Sequence, residues 1–69
     1  MAEWIDCQKQ LPTEADGFGH AQDVFCWWRR RDGKYAYSFN HWSRVKHLCN
    51  VAHFGYISHW QRIIPPNGI

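Results

Sequence analysis

No acidic residue follows Asp32. All six carboxylates lie in residues 1–32, and beyond Gly33 the charges are Lys34, Arg44, Lys46 and Arg62, joined by four of the five histidines. The second half therefore has no paired carboxylates for acid–base chemistry and no acid to orient a Cys–His nucleophile. A phosphate-cradling glycine loop and a nucleotide motif are also missing. No apolar run approaches the ~20 residues of a membrane span, and no basic segment leads into an apolar one at the start. Cysteines are few and odd in number: Cys7, Cys26 and Cys49, with no recurrent spacing. That pattern points to a reducing cytoplasm, with the thiols as small buried apolar residues and not a disulfide framework. At 69 residues the chain also lacks the volume for a usual enzyme pocket. The expectation is a non-catalytic protein with no cofactor and no bound metal.

What the chain has in abundance is aromatic rings. They make up 17% of residues, with five tryptophans. Each large ring buries roughly 150–250 Å², which compensates a chain small enough to bury only ~60% of its unfolded surface. Residues 1–69 read as one domain. The acidic first half and basic second half fit a polyanion or acidic-protein partner, although scattered solvated charge explains the same split more simply.

Residues 23–42 organise the rest. Asp32-Gly33 between two aromatic runs is a strong hairpin signal, because a two-residue type I′ turn needs positive φ that Gly takes freely and Asp tolerates. With that turn, Arg30 faces Tyr35, Trp28 faces Tyr37, Cys26 faces Phe39 and Val24 faces His41. Alternation then puts Val24, Cys26, Trp28, Tyr37 and Phe39 on one side. Phe25, Trp27, Arg29, Ala36, Ser38, Asn40 and Trp42 share the other. A slip of one residue would exchange the two sets, so which of them forms the core depends on the register.

Around the hairpin, Trp4 to Cys7 reads as a short strand or extended segment, and Leu11-Pro12 interrupts regular structure. Thr13 to Gln22 reads as a surface loop with Phe18 tucked in; the alternative is Thr13 capping one helical turn. Val45, Leu48, Cys49 and Ala52 fall at helical spacing, with Ser43 as N-cap and Gly55 just past the end. Tyr56 to Arg62 reads as the third main strand, extended by Ile63 and Ile64 and ended by Pro65-Pro66. The fold expected is α+β, mostly β: a three-stranded antiparallel sheet, a short helix before the last strand, and an extended N-terminal segment.

The opening Trp4-Ile5 … Leu11-Pro12, the hairpin about Asp32-Gly33, and the closing Ser58-His59-Trp60 … Pro65-Pro66 resemble a small domain of unknown function common in bacteriophages and prophages. That family typically opens Trp-Ile-Ser-Val … Leu-Pro and closes Thr-His-Trp-Met-Pro-Leu-Pro … Pro-Pro. Here Ser58 replaces the usual Thr, Gln61 to Ile64 replace the Pro-containing segment, and Ser43 to Gly55 follow no family pattern. The resemblance implies a phage or prophage origin and supplies no catalytic residues.

Three binding chemistries present themselves. His41, His47, Cys49, His53 and His59 crowd the second half, but they do not form the two close ligand pairs of a structural zinc site, so zinc ranks last. Mid-strand His59 reads as a hydrogen-bonded pin for the last strand, with a pH-sensing or binding role as the sharper alternative. Phe25, Trp27 and Trp42, with Arg29 among them and Arg30, Arg31 and Lys34 at the tip, suit a protein partner, since Trp, Tyr and Arg are enriched at binding hot spots. The same set would stack bases and meet phosphates, or would be covered by Trp4, Phe18 and residues 43–54. The preferred expectation is a phage-type accessory protein of the host cytoplasm that binds a host protein through this surface. Nucleic acid is the alternative partner, and no membrane is involved.

Overall fold

The computed structural model describes residues 3–50 and 55–64. Four antiparallel strands form one sheet in the order β1-β4-β2-β3, with β1 at Ile5–Asp6, β2 at Asp23–Arg30, β3 at Tyr35–His41 and β4 at Gly55–Gln61. The mostly-β architecture matches the sequence reading. The short N-terminal strand forms over two residues, and the difference is that it joins the sheet as a fourth, edge strand, pairing Ile5 with Trp60 and Asp6 with His59.

The hairpin register is one residue away from the expected one. Phe25 faces Phe39, Cys26 faces Ser38, Trp28 faces Ala36 and Arg29 faces Tyr35. The loop has three residues, not two. Arg30 N–H donates to Lys34 O at 2.8 Å, and Gly33 N–H donates back to Arg30 O at 3.1 Å. Gly33 takes a left-handed φ of 86°, the αL position that closes a three-residue hairpin loop. Asp32 holds the loop from both sides: its carboxylate accepts from Lys34 N–H at 2.9 Å and pairs with Arg30 at 2.9 Å.

A bulge in β4 sets the second half of the sheet. Trp27 faces His59 while the next residue, Trp28, faces Ile57, so Ser58 is the extra residue. Its hydroxyl lies 3.5 Å from Trp27 O, and its carbonyl accepts from Cys7 N–H at 3.1 Å. In a regular strand, residues three apart point to opposite faces. The bulge turns both Ile57 and Trp60 to the same side, and both are fully buried.

The core lies on that side. Val24 and Cys26 of β2, with Ile57 and Trp60, meet Cys7, Val45 and Cys49; Ile5, Trp28, Trp42 and Leu48 pack around them. Trp60 donates its indole N–H to Gln10 O at 2.9 Å, which ties the segment after β1 across the sheet. A 3-10 turn (Trp42–Arg44) runs into α1 (Val45–Leu48), which supplies Val45 to the core. Ser43 does not act as the cap. His41 caps the 3-10 turn, its Nδ1 accepting from Ser43 N–H at 3.2 Å, and α1 follows Arg44 with no side-chain cap of its own. Ala52 lies outside the described residues. Gly55 does not end the helix; it opens β4.

Other boundaries also shift. Thr13 to Gln22 is not a plain loop: Asp16 closes a 3-10 turn (Glu14–Asp16) by accepting from Thr13 N–H at 2.7 Å and Thr13 O–H at 3.2 Å. Phe18 is not tucked in but exposed, in an isolated bridge with Asp23. The last strand stops at Gln61, short of Ile63 and Ile64, and Pro65-Pro66 lie outside the described residues.

Candidate functional site: the aromatic face of the sheet

The side of the sheet away from the core is a surface of rings. Because the register brings residues of matching parity together, β3 contributes Tyr35, Tyr37 and Phe39 to the same face as Phe25, Trp27 and Arg29 of β2. All three β3 rings are more than half exposed. Beyond β2, the bulge places Tyr56 and His59 of β4 on this face, paired with Arg29 and Trp27. Trp4 lies over the other end, 5.3 Å from the Phe25 ring and 5.7 Å from Trp27.

The rings form one contact network. Phe25 stacks on Phe39 at 5.1 Å, meets Tyr37 edge-on at 5.8 Å, and Trp27 stacks on Tyr35 at 5.5 Å. The Arg29 guanidinium sits 5.7 Å from the Tyr35 ring centre. Such contacts add about 0.5–1.5 kcal/mol each beyond burial, which helps to order the face. Between Trp4, Trp27 and His59 lies an open notch of about 250 Å³. His59 Nδ1 lies 2.9 Å from Ser58 Oγ, which fixes the imidazole beside it.

Of the seven residues named from sequence, Phe25, Trp27 and Arg29 stand on this face. Arg30, Arg31 and Lys34 are exposed at the hairpin tip, with Arg30 paired to Asp32. Trp42 does not join them. It packs against the core on the other side, and its indole N–H donates to Gln22 Oε1 at 3.2 Å. The error follows from reading the chain as continuing in strand past His41, where it turns into the 3-10 segment. Trp4, Tyr35, Tyr37, Phe39 and Tyr56 were missed as site residues, and His59 entered only as the alternative to a structural pin. A three-residue hairpin loop would have recovered the three on β3.

The other chemistries gain little from the geometry. Among the described residues, no three His, Cys, Asp or Glu side chains group as metal ligands; His53 lies outside them. Cys7, Cys26 and Cys49 are free and buried. Burial pushes the Cys7 thiol up to about 12 and the Cys26 thiol up to about 11. Cys26 Sγ faces Val24 O, while the imidazole of His41 is engaged with Ser43. Among the described residues, no helix is long and apolar enough to cross a membrane.

Neither a protein-family model nor a curated protein nor a solved structure matches this chain.

Proposed function

We propose that this is a non-catalytic binding protein that docks a protein partner on the aromatic face of its sheet. The observation that carries the reading is the ladder Tyr35, Tyr37 and Phe39, three large side chains in a row at 56%, 68% and 57% exposure. Small proteins rarely leave contiguous apolar surface open without a partner for it. Tyr and Trp beside an Arg are the residue types that dominate protein interfaces. The motif pattern at the two ends of the chain supports a phage or prophage accessory role, with a host protein as the partner and the host cytoplasm as the place of action.

Nucleic acid is the competing partner, favoured by Arg29 on the face and by Arg30, Arg31 and Lys34 at the tip. The rings argue against it. Phe25 stacks on Phe39 and Trp27 on Tyr35, so each of these rings has one plane already covered, whereas base stacking needs open ring planes.

The test is capture from a bacterial lysate with the wild-type chain, Tyr37→Ser, Phe39→Ser and a control on the other side, Arg44→Ala. One stoichiometric protein should be held by the wild type and Arg44→Ala and released by both face variants, each still folded by circular dichroism at the temperature of capture. Recovery of nucleic acid whose binding collapses with added salt would replace this reading with the competing one. Equal capture by all four chains would remove the face from the function.

A further inference from the structure

Three of the five tryptophans satisfy their indole N–H inside the chain: Trp28 on Ser38 Oγ at 2.7 Å, Trp42 on Gln22 Oε1 and Trp60 on Gln10 O. Trp4 and Trp27 find no acceptor among the described residues, and no buried side-chain nitrogen or oxygen there lacks a partner. Among the described residues, then, the N–H of the half-buried Trp27 is left without an acceptor. These two rings also wall the notch, their planes meeting at 58° with His59 alongside.

Such a notch recognises a narrow class of ligand. Indole donates hydrogen bonds and accepts none, so the occupant must bring acceptors. The described residues lining it include no carboxylate, lysine or arginine, so among them an ammonium group meets no opposite charge and a phosphate has only the His59 imidazole. The walls are flat and apolar. A prolyl segment in the polyproline II conformation has these properties: unpaired, solvated carbonyls, no N–H to satisfy, and a compact apolar ring. A nucleobase would find one plane of Trp27 already covered by Tyr35, and its phosphate would meet no lysine or arginine among the described residues lining the notch.

We propose that the Trp4–Trp27–His59 notch is a proline-docking subsite, taking an extended prolyl segment of the partner protein. This rests on the docking role of the aromatic face.

The experiment is titration of the full ¹⁵N-labelled chain with decaproline, with a Gly-Ser decamer and oligothymidine as controls. Decaproline should move the Trp4 and Trp27 indole resonances saturably and leave those of Trp28, Trp42 and Trp60 in place. Trp4→Ala, at an exposed edge position, should weaken binding by about tenfold, the effect of a lost ring contact and hydrogen bond. Trp27→Phe, which keeps a ring but removes the donor, should weaken it less. Static Trp4 and Trp27 signals, equal shifts with the Gly-Ser peptide, or shifts with oligothymidine alone would overturn the inference. If decaproline fails while Tyr37→Ser still releases a captured protein, the subsite falls and the docking role stands. If that substitution releases nothing either, both fall.

Discussion

Phe25 stands directly opposite Phe39, and their rings stack at 5.1 Å on the face turned away from the core. The pair links the two strands of the hairpin directly, ring against ring. Replacing each by alanine, singly and together, should reveal a coupling of about 0.5–1.5 kcal/mol in urea unfolding. A coupling near zero would mean that the rings are neighbours without stabilising one another.

The two faces should respond differently to truncation. Phe39→Ala removes a ring that is more than half exposed, so its cost should stay at about 1 kcal/mol or less. Trp60→Ala empties the centre of the core and strands Gln10 O, and should cost about 3–5 kcal/mol. A domain of this size has only ~3–10 kcal/mol in total. Circular dichroism should therefore find Trp60→Ala largely unfolded and Phe39→Ala native.

Gly55 and Gly33 separate backbone strain from collision. Both have positive φ, 144° and 86°. A Cβ at Gly33 meets nothing within 4 Å, whereas one at Gly55 would come within 2.8 Å of Arg30 Cα and closer still to Arg29 O. Gly33→Ala should cost about 1–2 kcal/mol, the penalty of the left-handed region alone. Gly55→Ala must also push β4 off β2, and should cost at least about 1 kcal/mol more. Equal melting temperatures for the two variants would contradict the close approach.

These positions also show what the sequence made legible. Asp32-Gly33 located the hairpin, and the alternation of Asp23 to Arg30 put Val24 and Cys26 together, as the core has them. Loop length was not legible, since Gly33 serves a two-residue and a three-residue loop equally well. Hydrophobic patterning normally resolves such an ambiguity by exposing a polar face. Here Phe25, Trp27, Tyr35, Tyr37 and Phe39 are all aromatic, so the pattern could not say which register was right. The bulge at Ser58 was hidden for a related reason: Ile57 and Trp60 look out of phase until an extra residue is allowed between them. The candidate face was half visible from β2 and invisible on β3 and β4, where register alone decides it.

The thiols should be silent in the native state. With Cys7 at about 12 and Cys26 at about 11, each is protonated at neutral pH as well as buried. Because the thiolate is the reactive form, iodoacetamide labelling of both should proceed only through unfolding and accelerate steeply in urea. Fast labelling of either thiol in the native chain, followed by mass spectrometry, would contradict the core described here.

Asp16 should give the fold an acid-sensitive contact. Burial alone would raise its carboxyl, but bonds from Thr13 N–H and O–H and the nearby Arg62 charge outweigh that, holding it below the ordinary 3.8. A depressed folded-state value means stability that is fully present above the unfolded value and lost as pH falls through the folded one. Asp16→Asn should therefore be less stable than wild type at neutral pH, and the gap should narrow as pH drops below 3.8. Arg62 is more than half exposed, so Arg62→Ala should cost less and lose its effect in high salt. Urea titrations of the three chains across acid pH decide the matter: a gap between wild type and Asp16→Asn that stays constant down to the lowest pH would show that the carboxylate's charge contributes nothing to holding the 3-10 turn against the end of β4.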